Sequence, residues 1–472
     1  MIAATTFAGK NVAVFGLGLT GLATIASLQA AQAHVLGFDD NAASREAAHG
    51  SGINIVDLKQ ADWAEIDALV LSPGVPLTHP EPHWTVVLAH EHGVEVIGDT
   101  EILVRELARH APDANLVAIT GTNGKSTTTA LLGHVLQHGG IDVQVGGNIG
   151  KPVLEFDLPG PNQALVVEFS SYQLDLTPTL CPRVSILLNL SYDHIDRHGS
   201  MKGYANVKAR IFAGQGPGDV AVIGVDDQFS RDISTMLGSE IEVVPISCVK
   251  ELDAGLFAKD AKLFDATTNP PAVVADLRSA HGLRGVHNWQ NAAAAFAAAR
   301  ALGLSQKVIV EGFNTFPGLA HRMERVGTMG GVSFINDTKA TNADAAARAL
   351  ATFDNIYWIA GGLAKEGGIE DLRPFFHKII KAYLIGDAAE QFARTLDGKV
   401  EYEVSGTMEN AVKAAAHDLA EIFEKPEATA TVLLAPACAS FDQYRRFELR
   451  GDDFRRAVAG IEGVTMTEVG NI

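Results

Sequence analysis

Long uncharged apolar runs are missing from this chain: no hydrophobic stretch reaches the roughly 20 residues that a membrane-spanning helix needs. Met1 to Asn11 is too short and polar to read as a signal peptide. A cytoplasmic protein without a membrane span is therefore expected. Cysteine is scarce as well. Cys181, Cys248 and Cys438 are scattered without metal-ligand spacing, and an odd trio reads as reduced thiols. Positive charge is in deficit, since 37 Lys and Arg against 56 Asp and Glu leave a net −19. That argues against a nucleic-acid surface, which takes clustered bases to neutralise phosphates, so an anionic substrate must meet local positive charge in a cleft. Short-period repeats, coiled-coil heptads and low-complexity tails are also absent. What is present, 472 residues at 47% hydrophobic and 20% charged, is a globular composition too long for one core, and about three domains are expected.

The most informative stretch is 115–133, where an apolar run breaks into a glycine turn, then Lys-Ser, then a helical pattern. This order describes a phosphate-binding loop: backbone N–H groups gather at a helix start, Lys125 reaches terminal phosphates, and Ser126 can ligate Mg²⁺. The common pattern has a glycine five residues before Gly124, where this chain has Ile119, so the loop is compact and begins at Gly121. ATP or GTP binding follows.

Upstream, residues 11–28 read as strand, then G-x-G-x-x-G at Gly16, Gly18 and Gly21, then helix, with Asp39-Asp40 closing the next apolar run. This is the pattern of a dinucleotide-binding unit. Apolar runs at Ala68–Leu71 and Val94–Ile97 continue the alternation. Further runs at Ala164–Val167, Val184–Leu188 and Val220–Ile223 predict a parallel α/β domain, with an irregular loop or small antiparallel excursion over 250–286 and an Ala-rich helix from Asn291 to Leu302. A third alternation places strands at Val332–Ile335, Ile356–Ala360, Ala382–Ile385 and Thr431–Leu434. The expected fold class is α/β in three domains: Rossmann-like over 1–100, central P-loop ATPase-like over 101–318, and Rossmann-like again over 319–472, with a boundary at Gly318-Leu319.

Several polar clusters sit where these runs end, the place where open α/β sheets collect ligands. Glu168, after the run Ala164–Val167, fits a second-strand Mg²⁺ carboxylate, though a solvated strand end reads the same way. Asn189-Leu190-Ser191-Tyr192-Asp193-His194-Ile195-Asp196-Arg197-His198, after the run Val184–Leu188, fits either a metal site or a polar loop. Asn288 and Asn291 offer amides to a nucleotide or cap the Ala-rich helix. Asn336 to Asn342 packs polar and charged groups beyond the needs of a turn, whereas Gly361–Gly368 and Ala435–Asp442 also read as plain turns.

Taken in order, these motifs resemble the Mur ligases of peptidoglycan synthesis, from Gly16 to about Gly451. Gly-Thr-Asn-Gly-Lys-Ser-Thr at 121–127 is similar to the family's ATP loop, and His287-Asn288-x-x-Asn291 with His321-Arg322 recurs across it. Glu168-x-Ser-Ser-Tyr-Gln-Leu, Asp193-His194-x-Asp-Arg, Asp337-Thr338-Lys339-Ala340-Thr341-Asn342 and Ser440-Phe-Asp-Gln-Tyr-x-x-Phe447 point within it to the D-glutamate-adding branch. The resemblance implies an ATP-dependent amide ligase that phosphorylates the carboxylate of UDP-N-acetylmuramoyl-L-alanine and joins it to D-glutamate. It assigns ATP to Gly121, Thr122, Asn123, Gly124, Lys125, Ser126, Thr127, Asn288, Asn291, Arg322 and Asp337. The UDP substrate goes to Leu19, Thr20, Gly74, Asn148 and His194, with a departure from the family at Asp40 and Asn41, near the uracil. D-Glutamate goes to Thr341, Lys365, Ser440 and the backbone of Phe447. Two Mg²⁺ sites fall to Ser126, Glu168, His194 and Lys208, the last as a carbamylated lysine, and Lys339 joins Lys125, Glu168, His194 and Lys208 in the chemistry. A monomer working on small molecules is implied. The rivals are a sibling or folylpolyglutamate-type ligase, a nicotinamide oxidoreductase and a noncatalytic nucleotide-gated protein.

Overall fold

The computed structural model describes residues 1–50, 52–283, 285–364, 367–423 and 428–467. The chain forms two compact units, the first from Met1–Ser279 with Val286–Asn314, the second from Ala280–Gly285 with Thr315 onward. No helix among the described residues is long and apolar enough to cross a membrane.

The first unit holds two sheets. Strands β1 (Asn11–Phe15), β2 (His34–Phe38), β3 (Ala68–Leu71) and β4 (Glu95–Ile97) pair in parallel in the order β2-β1-β3-β4. The larger sheet contains β5 (Asn115–Thr120), β6 (Val143–Gly147), β7 (Ala164–Glu168), β8 (Val184–Leu187), β9 (Val220–Gly224), β10 (Glu242–Ser247), β11 (Leu256–Lys259), β12 (Lys262–Asp265) and β13 (Ala272–Asp276). Its order is β13-β12-β11-β10-β9-β8-β5-β7-β6. The middle strands are parallel and covered on both faces, which is why Val117, Ala118, Val166 and Ile186 are fully buried and why the sequence shows unbroken apolar runs there. The irregular stretch after residue 250 is an antiparallel excursion, β11-β12-β13. The Ala-rich helix Val286–Ala301 packs on the helix Lys125–His138, its small buried side chains allowing close approach.

The second unit is built on β14 (Glu324–Met329), β15 (Val332–Asn336), β16 (Ile356–Gly361), β17 (Ile379–Ile385), β18 (Glu401–Gly406), β19 (Ala430–Leu434) and β20 (Thr465–Met466). The order is β18-β17-β16-β19-β15-β14-β20, parallel from β18 to β15, with β14 and β20 antiparallel at one edge. Because β19 lies between β15 and β16, the loops after all three strands open at one end of the sheet. Trp358, Tyr383, Phe334 and Phe392 fill the cores on its two faces.

Candidate active site

In the first unit the chain after β5 turns through Gly121 and Gly124, and Gly124 takes φ +84° as the N-cap of the helix Lys125–His138. A Cβ at Gly124 would collide with the Asn291 amide oxygen, so glycine is required by space as well as by backbone angle. The loop is held from two sides. Thr122 N–H donates to the Asn189 carbonyl (2.8 Å) and Asn123 N–H to the Asn189 side chain (2.9 Å). Asn291 accepts from Thr128 Oγ1 (3.2 Å) and donates to Asn288 (3.0 Å), which brings both predicted asparagines to the loop. Lys125 Nζ donates to the carbonyls of Gly121 (2.9 Å) and Thr122 (2.8 Å), and Ser126 is buried at the helix start beside the half-buried Thr127.

Glu168 ends β7, the strand next to β5, and is 1% exposed. Its Oε1 accepts from Asn148 Nδ2 (2.7 Å), while Oε2 is buried without a hydrogen-bond partner. A buried carboxylate oxygen left open in this way is a ready cation ligand. Lys208, also 1% exposed, donates to Thr120 Oγ1 at 2.9 Å. Burial, and then the like charge of Lys125, holds its amine well below the ordinary lysine pKa. His194 sits at φ +52° with Nδ1 2.8 Å from Tyr172 Oη and Nε2 3.3 Å from Asp193. The Arg197 guanidinium lies 4.5 Å from the Tyr172 ring centre and donates to the Gly74 carbonyl (2.9 Å). The neighbouring His198 is pushed down to about 4, by burial first and then by the charges around it.

At the other glycine turn of this unit, Gly16 (φ +100°) packs against Ser72, and the helix Leu19–Ala30 starts with Leu19 exposed and Thr20 beside it. Asp39 accepts the Leu17 N–H at 2.7 Å and the Asn41 N–H at 2.8 Å, so this carboxylate secures its own loop. Asp40 meets His83 Nε2 at 3.0 Å, beside a group of Phe15, Phe38, His83 and Trp84 rings.

In the second unit, Asp337 follows β15, accepts the Met323 N–H (3.1 Å), and is pushed up to about 6 by burial. Arg322 lies one residue before Met323. Lys339 Nζ stands 4.1 Å from the Phe447 ring centre. Thr341 begins the approach to the helix Ala343–Thr352, Ser440 is buried after β19, and Phe447 opens the helix Phe447–Ala459, whose N-terminus has no side-chain cap. Lys365 lies outside the described residues. Tyr172, Arg197 and Asn189 fall within clusters that the sequence singles out without a role for each, and the structure supplies their partners. Their positions just beyond strand ends are the signal that singles them out.

A parallel sheet carrying a compact phosphate loop, a neighbouring strand-end carboxylate and a separate α/β unit defines a nucleotide-dependent enzyme of the P-loop type. Family comparison sharpens this. Residues 10–98 match the Mur ligase MurD-like N-terminal domain, 119–299 the Mur ligase middle domain, and 321–438 the Mur ligase glutamate ligase domain. The chain belongs to the Mur ligase family. A UDP-N-acetylmuramoylalanine–D-glutamate ligase of Rhizobium meliloti is 55% identical over 99% of this chain and 100% of its own length. The Agrobacterium fabrum protein of the same name is 53% identical over 99% of this chain and 98% of its own. Among solved structures, the UDP-N-acetylmuramate-alanine ligase MurC of Thermotoga maritima shares the fold at a TM-score of 0.55 and 18% identity, over 95% of this chain and 98% of its own.

Proposed function

We propose that the protein joins D-glutamate to UDP-N-acetylmuramoyl-L-alanine with hydrolysis of ATP to ADP and phosphate, in cytoplasmic peptidoglycan precursor synthesis. The observation that carries this reading is the identity of 55% and 53%, along essentially the whole chain, with relatives that bear that ligase's name. The site geometry fits the chemistry. The alanyl carboxylate attacks the γ-phosphorus of ATP and ADP leaves. The deprotonated amine of D-glutamate then attacks the acyl phosphate, an amide bond forms and phosphate departs. Lys125 and Lys339 stabilise charge on the transferred phosphoryl oxygens.

The division of labour proposed is UDP-substrate binding by 1–100, through Leu19, Thr20 and Gly74 with Asn148 and His194, ATP binding by 101–318, and amino-acid binding by 319–472 through Thr341, Lys365, Ser440 and Phe447. Arg322 and Asp337 complete the nucleotide contacts. Mg²⁺ fits the open Glu168 oxygen and the Ser126 hydroxyl, since this ion takes few protein carboxylates and fills its shell from phosphates and water. Bound there, it would neutralise phosphate charge. A second Mg²⁺ is assigned to His194 and Lys208. The depressed pKa of Lys208 supports its carbamylation, because only the neutral amine reacts with CO₂. The test is ADP release by the purified protein with UDP-N-acetylmuramoyl-L-alanine, with and without D-glutamate. Turnover with diaminopimelate and a UDP-muramoyl dipeptide instead would favour a sibling ligase.

A further inference from the structure

Arg450 lies in the first turn of the helix Phe447–Ala459 and is 1% exposed. Its guanidinium is fully engaged. Nε donates to Thr338 Oγ1 (2.9 Å), Nη2 to the carbonyls of Thr338 (3.0 Å) and Cys438 (3.0 Å), and Nη1 to those of Ala439 (3.3 Å) and Gly361 (3.4 Å). Every one of these acceptors is a neutral oxygen, and no carboxylate among the described residues pairs with it. Burying a cation chiefly against dipoles is costly, and the Asp442 carboxylate, beyond ion-pair distance, offsets it only in part, so a fold that does so puts positive charge at a chosen place. The charge persists at neutral pH, since burial lowers the guanidinium only to about 10.

The place is specific. Gly361 closes β16, Thr338 lies just beyond β15, and Cys438 and Ala439 lie just beyond β19, at the sheet end where ligands gather in open α/β folds. A Cβ on Gly362, at φ +128°, would stand 2.9 Å from Arg450 Nη1, so the loop after β16 is shaped around the guanidinium. Thr338 Oγ1, which accepts from Nε–H, donates its own hydroxyl hydrogen bond to the Phe447 carbonyl (3.1 Å). The same fork therefore fixes the segments that carry Thr341, Ser440 and Phe447.

We propose that Arg450 is a positioning residue for the incoming amino acid: its buried charge makes this sheet end receptive to carboxylates, and its five hydrogen bonds hold the three loops that contact them. The inference rests on the D-glutamate reading above. With every N–H committed to protein oxygens, Arg450 acts on the substrate through field and loop geometry, without contact.

The test compares Arg450→Gln, which removes the charge, with Arg450→Lys, which keeps it, measuring KM for D-glutamate, ATP and the UDP substrate in the full chain alongside a thermal melt. Arg450→Gln is expected to raise the D-glutamate KM about 30-fold, the factor a unit charge about 8 Å from a carboxylate exerts at an effective dielectric of about 20, with the other two KM values within about threefold. Arg450→Lys should recover most of that loss even if it melts earlier. A folded Arg450→Gln enzyme with unchanged D-glutamate KM overturns the proposal, as does an Arg450→Lys enzyme equally impaired for all three substrates. If Arg450→Gln does not fold, the lysine variant decides alone: a near-normal D-glutamate KM supports the charge role and a raised one overturns it. Ser440→Ala separates the two levels of inference, because no effect of that change on D-glutamate would place the failure in the site assignment.

Discussion

Glu106 and Glu168 are both buried in the first unit, 0% and 1% exposed, yet their oxygens are used differently. Glu106 accepts from Thr5 Oγ1 (2.7 Å), Thr6 N–H (2.6 Å) and Thr6 Oγ1 (2.7 Å), so the segment before β1 satisfies both oxygens. Glu168 has Asn148 on one oxygen and no protein partner on the other. Asp99, at the start of the helix Asp99–His110, shows a third solution: one buried oxygen is unpartnered, and burial pushes the carboxyl up to about 6, toward the neutral form. A buried carboxylate that the protein fully satisfies holds the fold together, whereas an open one beside a phosphate loop leaves an oxygen that a ligand can take.

The largest effect should come from the loop lysine on which the role of Glu168 depends. Lys125→Ala should lower kcat on the order of 10³-fold or more with unchanged far-UV circular dichroism. A folded variant near normal turnover would remove the phosphate-loop half of the comparison. Lys208→Ala should be nearly inactive, and acetate or bicarbonate should restore part of its activity by filling the vacated space. Absence of rescue would count against a carboxylated lysine.

Glu168→Gln should cost about 10²-fold in kcat, comparable to losing one well-placed charge-stabilising group. Its melting temperature should not fall. Glu106→Gln should do the reverse, costing about 1–3 kcal/mol of stability by misfitting a set of donors while kcat on the folded fraction stays near normal. Denaturant titration and steady-state kinetics on both variants break the comparison if the two behave alike.

The smallest effect concerns Asp99. Its folded pKa of about 6 lies above the ordinary 3.8, so its contribution to stability is complete below pH 3.8 and is lost as pH rises through 6. Asp99→Asn should therefore stabilise the protein by about 1–3 kcal/mol at pH 7.5 relative to its effect near pH 3.5. Equal denaturation midpoint shifts at both pH values would show that burial does not raise the Asp99 carboxyl.

Much of this arrangement was legible because parallel strands covered on both faces must be apolar throughout. The runs at Ala68–Leu71, Val184–Leu188 and Thr431–Leu434 coincide with β3, β8 and β19 to within a residue. Glycine spacing and the Lys-Ser pair then placed the phosphate loop. Strands at or next to a sheet edge were less visible. β14, Glu-Arg-Val-Gly-Thr-Met, and β6, Val-Gln-Val-Gly-Gly, mix polar residues and glycine because only part of each is covered. Arg450 was hidden for a related reason: arginine in a helical pattern reads as solvent-facing, and only tertiary contacts reveal that five carbonyl and hydroxyl bonds draw it inward. Asp39 closes the dinucleotide-like pattern by its spacing, and in the fold it accepts two backbone N–H groups, those of Leu17 and Asn41.

That pair of bonds bears on how far the glycine turn is prepared for a ligand. In dinucleotide-binding glycine-turn domains the acidic residue at this spacing accepts from the ribose 2′-OH. Here one oxygen of Asp39 accepts from the Leu17 N–H and the other from the Asn41 N–H, so the carboxylate clasps the glycine turn to the chain that leaves β2. A turn latched by two such bonds is formed in advance, so whatever docks on it is spared the entropy of ordering it.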